Sequence, residues 1–232
     1  MPHFDPALLL SGDYRDWLLA GLRLSLLLTL ISLACALPLA TCIALLRMAP
    51  SRVANWFGAA YVEAIRNVPL LAHLLFWYFG APELLPDSWK APLYEHNVEA
   101  IAAVIALTLY TAAYMAEDIR SGIRAIPPQQ FEAGRALGFG YGATMRLLIL
   151  PQALRITVPP LISQTLNLWQ NTSIATAIGA AELMYQAQRV ESASFRSTEA
   201  FLFASAAYLA VSLLIGALAA WYQHRYPVRV AA

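Results

Sequence analysis

The chain has 232 residues, of which 59% are hydrophobic and only 12% are charged. Soluble globular proteins carry about 45–50% apolar and about 25% charged residues, so these charges are too few to cover a folded surface in water. The composition excludes a soluble domain and a disordered chain, and it indicates a protein that faces lipid. The net charge of +1 excludes nucleic acid as a partner, because phosphate binding needs a concentrated basic field.

Five uncharged, mostly apolar stretches dominate the chain, of which the second and third are short but can be extended at one end. A helix needs about 20 mostly apolar residues to cross the hydrocarbon layer of a membrane. The whole chain, residues 1–232, is therefore predicted to be a single all-α membrane domain with five transmembrane helices. We expect these helices near residues 18–46, 55–80, 98–119, 156–181 and 200–223.

The basic residues predict the direction in which the chain crosses the membrane. Arginines are concentrated in the loop 120–155, whereas the segment 81–99 is mainly acidic. Because lysine and arginine favour the cytoplasmic side, we expect this loop in the cytoplasm, together with the C-terminus and its Arg225 and Arg229. The N-terminus, with a short tail over Met1–Asp16, is expected on the outer side.

The segment between the third and fourth predicted helices is the most informative stretch. Pro127–Pro128 ends the incoming helix and suits the first turn of a new one, for which residues 129–137 provide about two turns. Glycines within 138–142 then break this short helix. A second short helix is expected over 143–150, interrupted at Pro151. Such a helical protrusion with apolar side chains suits docking into a groove of a soluble partner.

Two other interpretations of this segment are weaker. A plain surface loop would not need so much helical pattern. The glycine run 138–142 does not indicate a nucleotide site, because no strand precedes it and no Lys-Ser/Thr pair follows it.

The protrusion also resembles a known motif. Glu132-Ala-Gly-Arg-Ala-Leu-Gly138, followed by Ile149-Leu-Pro-Gln-Ala-Leu-Arg155, resembles the EAA loop of permease subunits of ABC importers. That family has Glu-Ala-Ala, a Gly four residues after the last Ala, and then Ile/Val-x-Leu-Pro. This chain has Gly134 in place of the second Ala, and Gly138 keeps the expected position. Further segments resemble the polar amino-acid subfamily: Tyr61-Val-Glu-Ala-Ile-Arg-Asn-Val-Pro-Leu-Leu71, Ala113-Tyr-Met-Ala-Glu117 and Asn171-Thr-Ser-Ile174.

This resemblance implies a type I ABC importer permease (MetI-like) fold, with the N-terminus in the periplasm of a bacterium and the chain in its inner membrane. It implies two ABC ATPase subunits, a second permease subunit and a periplasmic solute-binding protein as partners. ATP and Mg would be held by the ATPases, so this chain is expected to bind no cofactor and not to be an enzyme. The residues implied in ATPase coupling are Glu132, Ala133, Gly134, Arg135, Leu137 and Gly138.

Polar residues inside the predicted spans are candidates for the substrate path and its gate. Glu63 and Arg66 share a helix face, where they are expected to pair, either as a neutral structural pair or as part of an inner gate. The segments 66–71 and 170–173 look most like permeases for glutamate and aspartate. An acidic substrate would need a cation, for which Arg189 is the candidate. The other path candidates are Gln170, Asn171, Thr172 and Ser173.

The same amides and hydroxyls have a structural interpretation, since polar side chains in spans often hydrogen-bond between helices. In the family a lysine often stands where this chain has Gln170, so the role of that cation is not carried over. No metal site and no catalytic set is predicted. Cys35 and Cys42 are expected to be small apolar residues, and His73 a packed polar one.

The alternative function is that of an ion-coupled secondary amino-acid transporter acting without an ATPase. Such transporters have internal repeats and discontinuous helices at the membrane midplane, and the sequence shows no clear repeat. A channel and an intramembrane enzyme are less supported still, because no filter-like loop and no convergent catalytic set is found. Co-purification with an ATPase subunit separates the permease from these alternatives.

Overall fold

The computed structural model describes residues 12–227, and this part of the chain is helical throughout, without a strand. Four helical stretches are long and apolar enough to cross a membrane: Gly12–Met48, Val98–Arg124, Tyr141–Ile178 and Ser197–Arg225. The α-helices are α1 Gly12–Met48, α2 Arg52–Arg66, α3 Leu70–Leu75, α4 Asp87–Tyr94, α5 Val98–Arg124, α6 Pro128–Ala136, α7 Tyr141–Thr144, α8 Leu150–Asn171, α9 Leu183–Ser194 and α10 Ser197–Arg225.

The second predicted helix, over 55–80, is not continuous. Helix α2 ends at Arg66, and α3 starts after Pro69 and continues as a π-helical turn over Phe76–Gly80. Proline lacks the N–H that a continuing helix needs, and it disfavours helical backbone at the residue before it. The prediction of one unbroken helix is therefore wrong at this point.

The first helix starts earlier than the predicted residue 18. Helix α1 begins at Gly12 and has Asp13 in its first turn, where a carboxylate is favoured by the helix dipole. The predicted tail Met1–Asp16 is thus helical from Gly12 onward. Residues 1–11 and Arg229 lie outside the described part of the chain.

The predicted interruption at Pro151 is also wrong. The chain stays helical from Tyr141 to Ile178. The five residues Met145–Ile149 form a π-helical turn directly before α8, and Pro151 lies in the first turn of α8. A π turn widens the helix locally and changes the hydrogen-bonding register, so the missing N–H of the proline is accommodated there. Gly179, with φ of 82°, ends this stretch slightly before the predicted residue 181.

The core of the bundle lies between α1 and α5. Ala36, Ala40 and Ala44 of α1 pack with Ala112 and Ala116 of α5, and all five are fully buried. Small side chains let helix backbones approach closely in a membrane, where van der Waals packing replaces the hydrophobic effect as the main attraction between helices.

The helices α1 and α5 run in the same direction. Arg47, near the C-terminal end of α1, forms an ion pair with Glu117, near the C-terminal end of α5. We call this side of the bundle the loop end, since α5 leads from it directly into α6.

Candidate functional site

Helix α6 is a short helix with a definite start and stop. Pro128 stands in its first turn, where the missing N–H costs nothing. At its end Gly138 adopts φ of 80°, its N–H donates to the carbonyl of Arg135 at 2.9 Å, and the Phe139 N–H donates to the carbonyl of Gly134 at 3.0 Å. These two bonds form a Schellman cap, which explains why a glycine is needed at position 138.

The predicted coupling residues lie together on this helix and its cap. Glu132, Ala133 and Arg135 are exposed, and Leu137 exposes 67% of its surface although it is apolar. Gly134 is buried and faces the rest of the protein. The exposed side of α6 and its cap therefore combines an apolar side chain with charges of both signs, which suits docking into a groove of a partner.

Helix α6 is attached to the membrane helices by a small apolar cluster. Ile126, Ile149 and Ala153 are buried in it, and Phe131 of α6 packs against them. In addition, the Gln152 side-chain amide lies 3.3 Å from the side-chain oxygen of Gln130. Two residues of α6, Gln130 and Phe131, thus contact the start of α8 directly.

A charged cluster at the loop end was not identified from the sequence. Glu117 pairs with Arg47 of α1 and with Arg120 of its own helix, and all three side chains are largely buried. The Asn55 side chain donates to the carbonyl of Arg47, which brings α2 into the cluster. Arg47 and Glu117 are 70 residues apart in sequence, so no local pattern could predict their contact.

The predicted ion pair between Glu63 and Arg66 is not formed within residues 12–227, so that prediction is wrong. Glu63 accepts a hydrogen bond from the Asn67 side chain at 3.1 Å. The Arg66 guanidinium instead lies over the ring of Tyr114, 4.8 Å from its centre, in a cation–π contact. The side chain of Arg66 therefore points to α5 and not to Glu63. The gating role of the two residues stays a prediction.

A polar cavity of about 330 Å³ lies between α5 and α8. It is lined by Tyr110, Thr111, Tyr114, Gln164, Asn167, Leu168, Gln170 and Asn171. The Asn167 amide lies 3.3 Å from the Gln164 side-chain oxygen, and the Gln164 amide donates to Asp118 at 3.0 Å. The lining can thus offer hydroxyl and amide groups to a polar solute.

The structure divides the predicted path residues. Gln170 and Asn171 line the cavity, whereas the hydroxyl of buried Thr172 donates to the carbonyl of Trp169 at 2.7 Å. The Ser173 hydroxyl donates to the carbonyl of Gln170, also at 2.7 Å. Both hydroxyls are therefore bonded to the backbone of their own helical stretch.

Arg189 lies in a different place from the other path residues. It belongs to α9, and its guanidinium is 3.8 Å from the centre of the Trp17 ring. It borders a separate cavity of about 520 Å³ with Trp17, Tyr185, Gln188, Ser192 and Ala193. The structure does not bring Arg189 to the cavity between α5 and α8, whereas Arg66 contacts a side chain of that cavity's wall.

Glu182 is a buried carboxyl group whose place in the structure the sequence did not reveal. Its side chain accepts hydrogen bonds from Tyr208 at 2.7 Å, from Ser25 at 3.2 Å, and from the backbone N–H groups of Met184 and Tyr185 at 3.0 and 2.9 Å. Burial raises the pKa of Glu182, although these donors act in the opposite direction. The one local clue is that Glu182 stands just before the pattern of α9, since negative charge is favoured at the N-terminus of a helix.

Residues 12–227 contain no group of three or more His, Cys, Asp and Glu side chains that could hold a metal ion. His73 lies with its Nε2 atom 3.1 Å from the carbonyl of Ile65, and Cys35 and Cys42 are free and exposed on α1.

Residues 36–227 match the family described as the inner membrane component of binding-protein-dependent transport systems. Together with the long apolar helices, this match shows a multi-pass inner-membrane transport component. The chain belongs to this family; it is a permease subunit and not an enzyme, and ATP hydrolysis belongs to a separate subunit.

The relatives are permeases of amino-acid ABC transporters. The chain is 38% identical over 195 residues to the probable glutamine permease protein GlnM of Bacillus subtilis, covering 83% of this chain and 85% of that protein. It is 31% identical over 209 residues to the glutamate/aspartate import permease protein GltJ of Escherichia coli, covering 88% and 85%. The predicted resemblance is therefore confirmed.

The fold has a close counterpart among solved structures. A chain of an amino acid ABC transporter crystallised with histidines superposes with a TM-score of 0.83 at 29% identity, covering 96% of this chain and 99% of that one. The all-α ABC permease fold is confirmed, and membership of this family removes the support for a secondary transporter that acts alone.

Proposed function

We propose that this chain is the membrane subunit of an ATP-driven importer that moves polar amino acids, specifically glutamate and aspartate, into the cytoplasm. The observation that carries the proposal is the capped, exposed helix α6 held between two membrane helices. Its partners would be two ABC ATPase subunits, a second permease subunit and a periplasmic solute-binding protein. ATP and Mg would be bound by the ATPases, and this chain would hold no cofactor.

In this proposal α6 transmits the motion of the ATPase. The exposed side chains of Glu132, Arg135 and Leu137 contact the ATPase, and the cluster around Phe131 carries the displacement into the start of α8. The cavity between α5 and α8 lies along the same helix, so a shift of α8 changes the cavity. Alternating access of this kind requires two packings that differ by only a few kcal/mol.

We further propose five membrane crossings, with the N-terminus in the periplasm and the C-terminus in the cytoplasm. Helices α1 and α5 both run toward the loop end, where Arg47 meets Glu117, so the chain between them has to return across the bilayer. Residues 52–80 are long enough for this crossing, at about 1.5 Å per residue against a hydrocarbon layer of about 30 Å. The basic loop 120–155 supports a cytoplasmic loop end.

The acidic substrate is supported by GltJ and by the position of Arg66 beside Tyr114. Arg66 takes the place of Arg189 in this proposal, because Arg189 lies at a different cavity. Import of glutamine is the second candidate, favoured by the likeness to GlnM and by the uncharged lining of the α5–α8 cavity.

The coupling role is tested with Glu132→Lys in the complete transporter in proteoliposomes. Reversing an exposed charge on the docking face should abolish the stimulation of ATP hydrolysis by the loaded binding protein and leave the thermal unfolding of the membrane helices unchanged. Glu95→Lys, at an exposed site after α4, is the matched control and should keep full stimulation. Full stimulation in Glu132→Lys would contradict the coupling role.

The substrate proposal is tested by uptake of labelled glutamate and glutamine with Arg66→Gln and Arg189→Gln. Loss of the Arg66 guanidinium should reduce glutamate uptake about tenfold, with glutamine uptake little changed, because only the acidic side chain needs a cation. Arg189→Gln should leave both unchanged. Transport of glutamine alone by the unmodified protein would overturn the acidic substrate in favour of the second candidate.

A further inference from the structure

Gly134 lies in contact with Thr144, across the turn that joins α6 to α7. An added Cβ atom at Gly134 would lie 2.6 Å from Cγ2 and 2.7 Å from Oγ1 of Thr144, which is closer than real Cβ contacts allow. Thr144 exposes only 3% of its surface. Its side chain therefore occupies the space that a side chain at position 134 would take.

The backbone at both positions is fixed by hydrogen bonds. The carbonyl of Gly134 accepts from the N–H of Phe139 at 3.0 Å in the Schellman cap. The N–H of Thr144 donates to the carbonyl of Gly140 at 2.9 Å at the start of α7. Each bond fixes the local backbone of its own helix end, and the contact of the Thr144 side chain with Gly134 sets how closely α6 and α7 approach each other.

The hydroxyl group of Thr144 contributes shape rather than a hydrogen bond. Its Oγ1 atom is buried and has no hydrogen-bond partner within the described part of the chain. A residue of the same shape without the hydroxyl should therefore serve equally well at this position.

We propose that Thr144 is a positioning residue for α6. Its side chain fills the space beside Gly134, and it thereby fixes the distance between α6 and the helical stretch 141–178. This inference rests on the proposed function, because it assumes that α6 is the point of contact with the ATPase. The residues 141–178 form one continuous helical stretch, so the contact at Thr144 passes the displacement of α6 toward α8 and the cavity.

The test is a double-mutant cycle in the assembled transporter in proteoliposomes, read as the stimulation of ATP hydrolysis by the loaded binding protein. Gly134→Ala should lower the stimulation about tenfold because of the overlap with Thr144, and Thr144→Ala should lower it several-fold because of the gap. The double variant should recover at least half of the stimulation, since the volume is moved from one side of the contact to the other. Thr144→Val should keep it in full.

Gly142→Ala is the matched control, because a Cβ atom there meets nothing within 4 Å. Co-purification of the ATPase and the thermal unfolding of the complex separate loss of coupling from loss of folding. If Gly134→Ala does not fold, the inference is tested by comparing the stimulation of ATP hydrolysis in Thr144→Ala with that in the double variant. Unchanged stimulation in Thr144→Ala, or no recovery in the double variant, would overturn the inference, whereas absence of any stimulation in the unmodified complex would overturn the proposed function.

Discussion

Glu182 shows how a single side chain can join several helices of a membrane bundle. Its carboxyl group accepts from Ser25 of α1 and Tyr208 of α10 and also caps α9. A buried carboxyl group is costly unless it is hydrogen-bonded, and here four donors satisfy it. The network therefore ties together the half of the bundle opposite the loop end.

We predict that Glu182→Ala lowers the free energy of unfolding by about 1–3 kcal/mol, because it leaves the hydroxyls of buried Ser25 and half-buried Tyr208 without their acceptor. Denaturant unfolding in detergent, followed by the fluorescence of the tryptophans, measures the change. The exposed Glu95→Ala is the control and should stay within about 0.5 kcal/mol of the unmodified protein. Equal stability of Glu182→Ala and the control would contradict the structural role.

The raised pKa of Glu182 predicts a pH dependence of stability. Since the pKa is raised above the ordinary 4.5, the folded protein binds this proton more tightly than the unfolded chain does. The resulting stabilisation is present below pH 4.5 and is lost as the pH rises from 4.5 through the raised pKa. In Glu182→Gln, which cannot bind this proton, the free energy of unfolding measured across this pH window should not show this decrease. The same slope in both proteins would show that another group is responsible.

Among the single elements, α6 is the one whose form follows most directly from its sequence. The two prolines define its start, and Gly138, with φ of 80°, defines its end. Positive φ is strained for a residue with a Cβ atom, so a substitution at Gly138 would strain the end of the helix that we propose to contact the ATPase.

We predict that Gly138→Ala weakens the coupling of ATP hydrolysis to the loaded binding protein several-fold, because the Schellman cap of α6 is strained. Gly140→Ala is the matched control: Gly140 has φ of −66° and open space around it, so it accepts a side chain. The measurement is the ratio of stimulated to basal ATP hydrolysis. A loss as large in Gly140→Ala as in Gly138→Ala would mean that glycine flexibility in general, and not the cap, matters.

The second predicted helix shows what hydropathy leaves out. Residues 55–80 are apolar enough to form a span, but apolar composition does not show where a backbone hydrogen bond is missing, and the break at Pro69 decides the local structure. The opposite happens at Pro151, where a π-helical turn lets the helix continue. A proline in a sequence therefore marks a position where the helical hydrogen bonding is interrupted, but it does not show whether the helix ends there or continues through a π-helical turn.

The site was predictable where it depends on local sequence. The residues predicted for coupling, from Glu132 to Gly138, follow from one motif and lie together on α6 and its C-terminal cap. The contacts of Arg66 with Tyr114 and of Glu182 with Ser25 join residues 48 and 157 positions apart, so helix packing alone decides them. For the same reason the sequence could not show that Arg189 lies at a different cavity from Gln170 and Asn171.

At the scale of the whole molecule, the proposed topology can be tested by labelling. Starting from a variant with Cys35→Ala and Cys42→Ala, we predict that Gln129→Cys reacts with a membrane-impermeant maleimide only in inside-out vesicles. Glu95→Cys should react only in right-side-out spheroplasts. Both residues are exposed, at opposite sides of the proposed five-crossing bundle. Labelling of both from one side would contradict an odd number of crossings between them.

The most direct test of the account is uptake of labelled substrate against a gradient into proteoliposomes, with and without the ATPase subunits and ATP. Accumulation is expected only when the permease, the ATPase, ATP and the loaded binding protein are all present, because in the proposed function α6 receives its displacement from the ATPase. Accumulation against the gradient by the purified chain alone, driven by an ion gradient and without nucleotide, would contradict it.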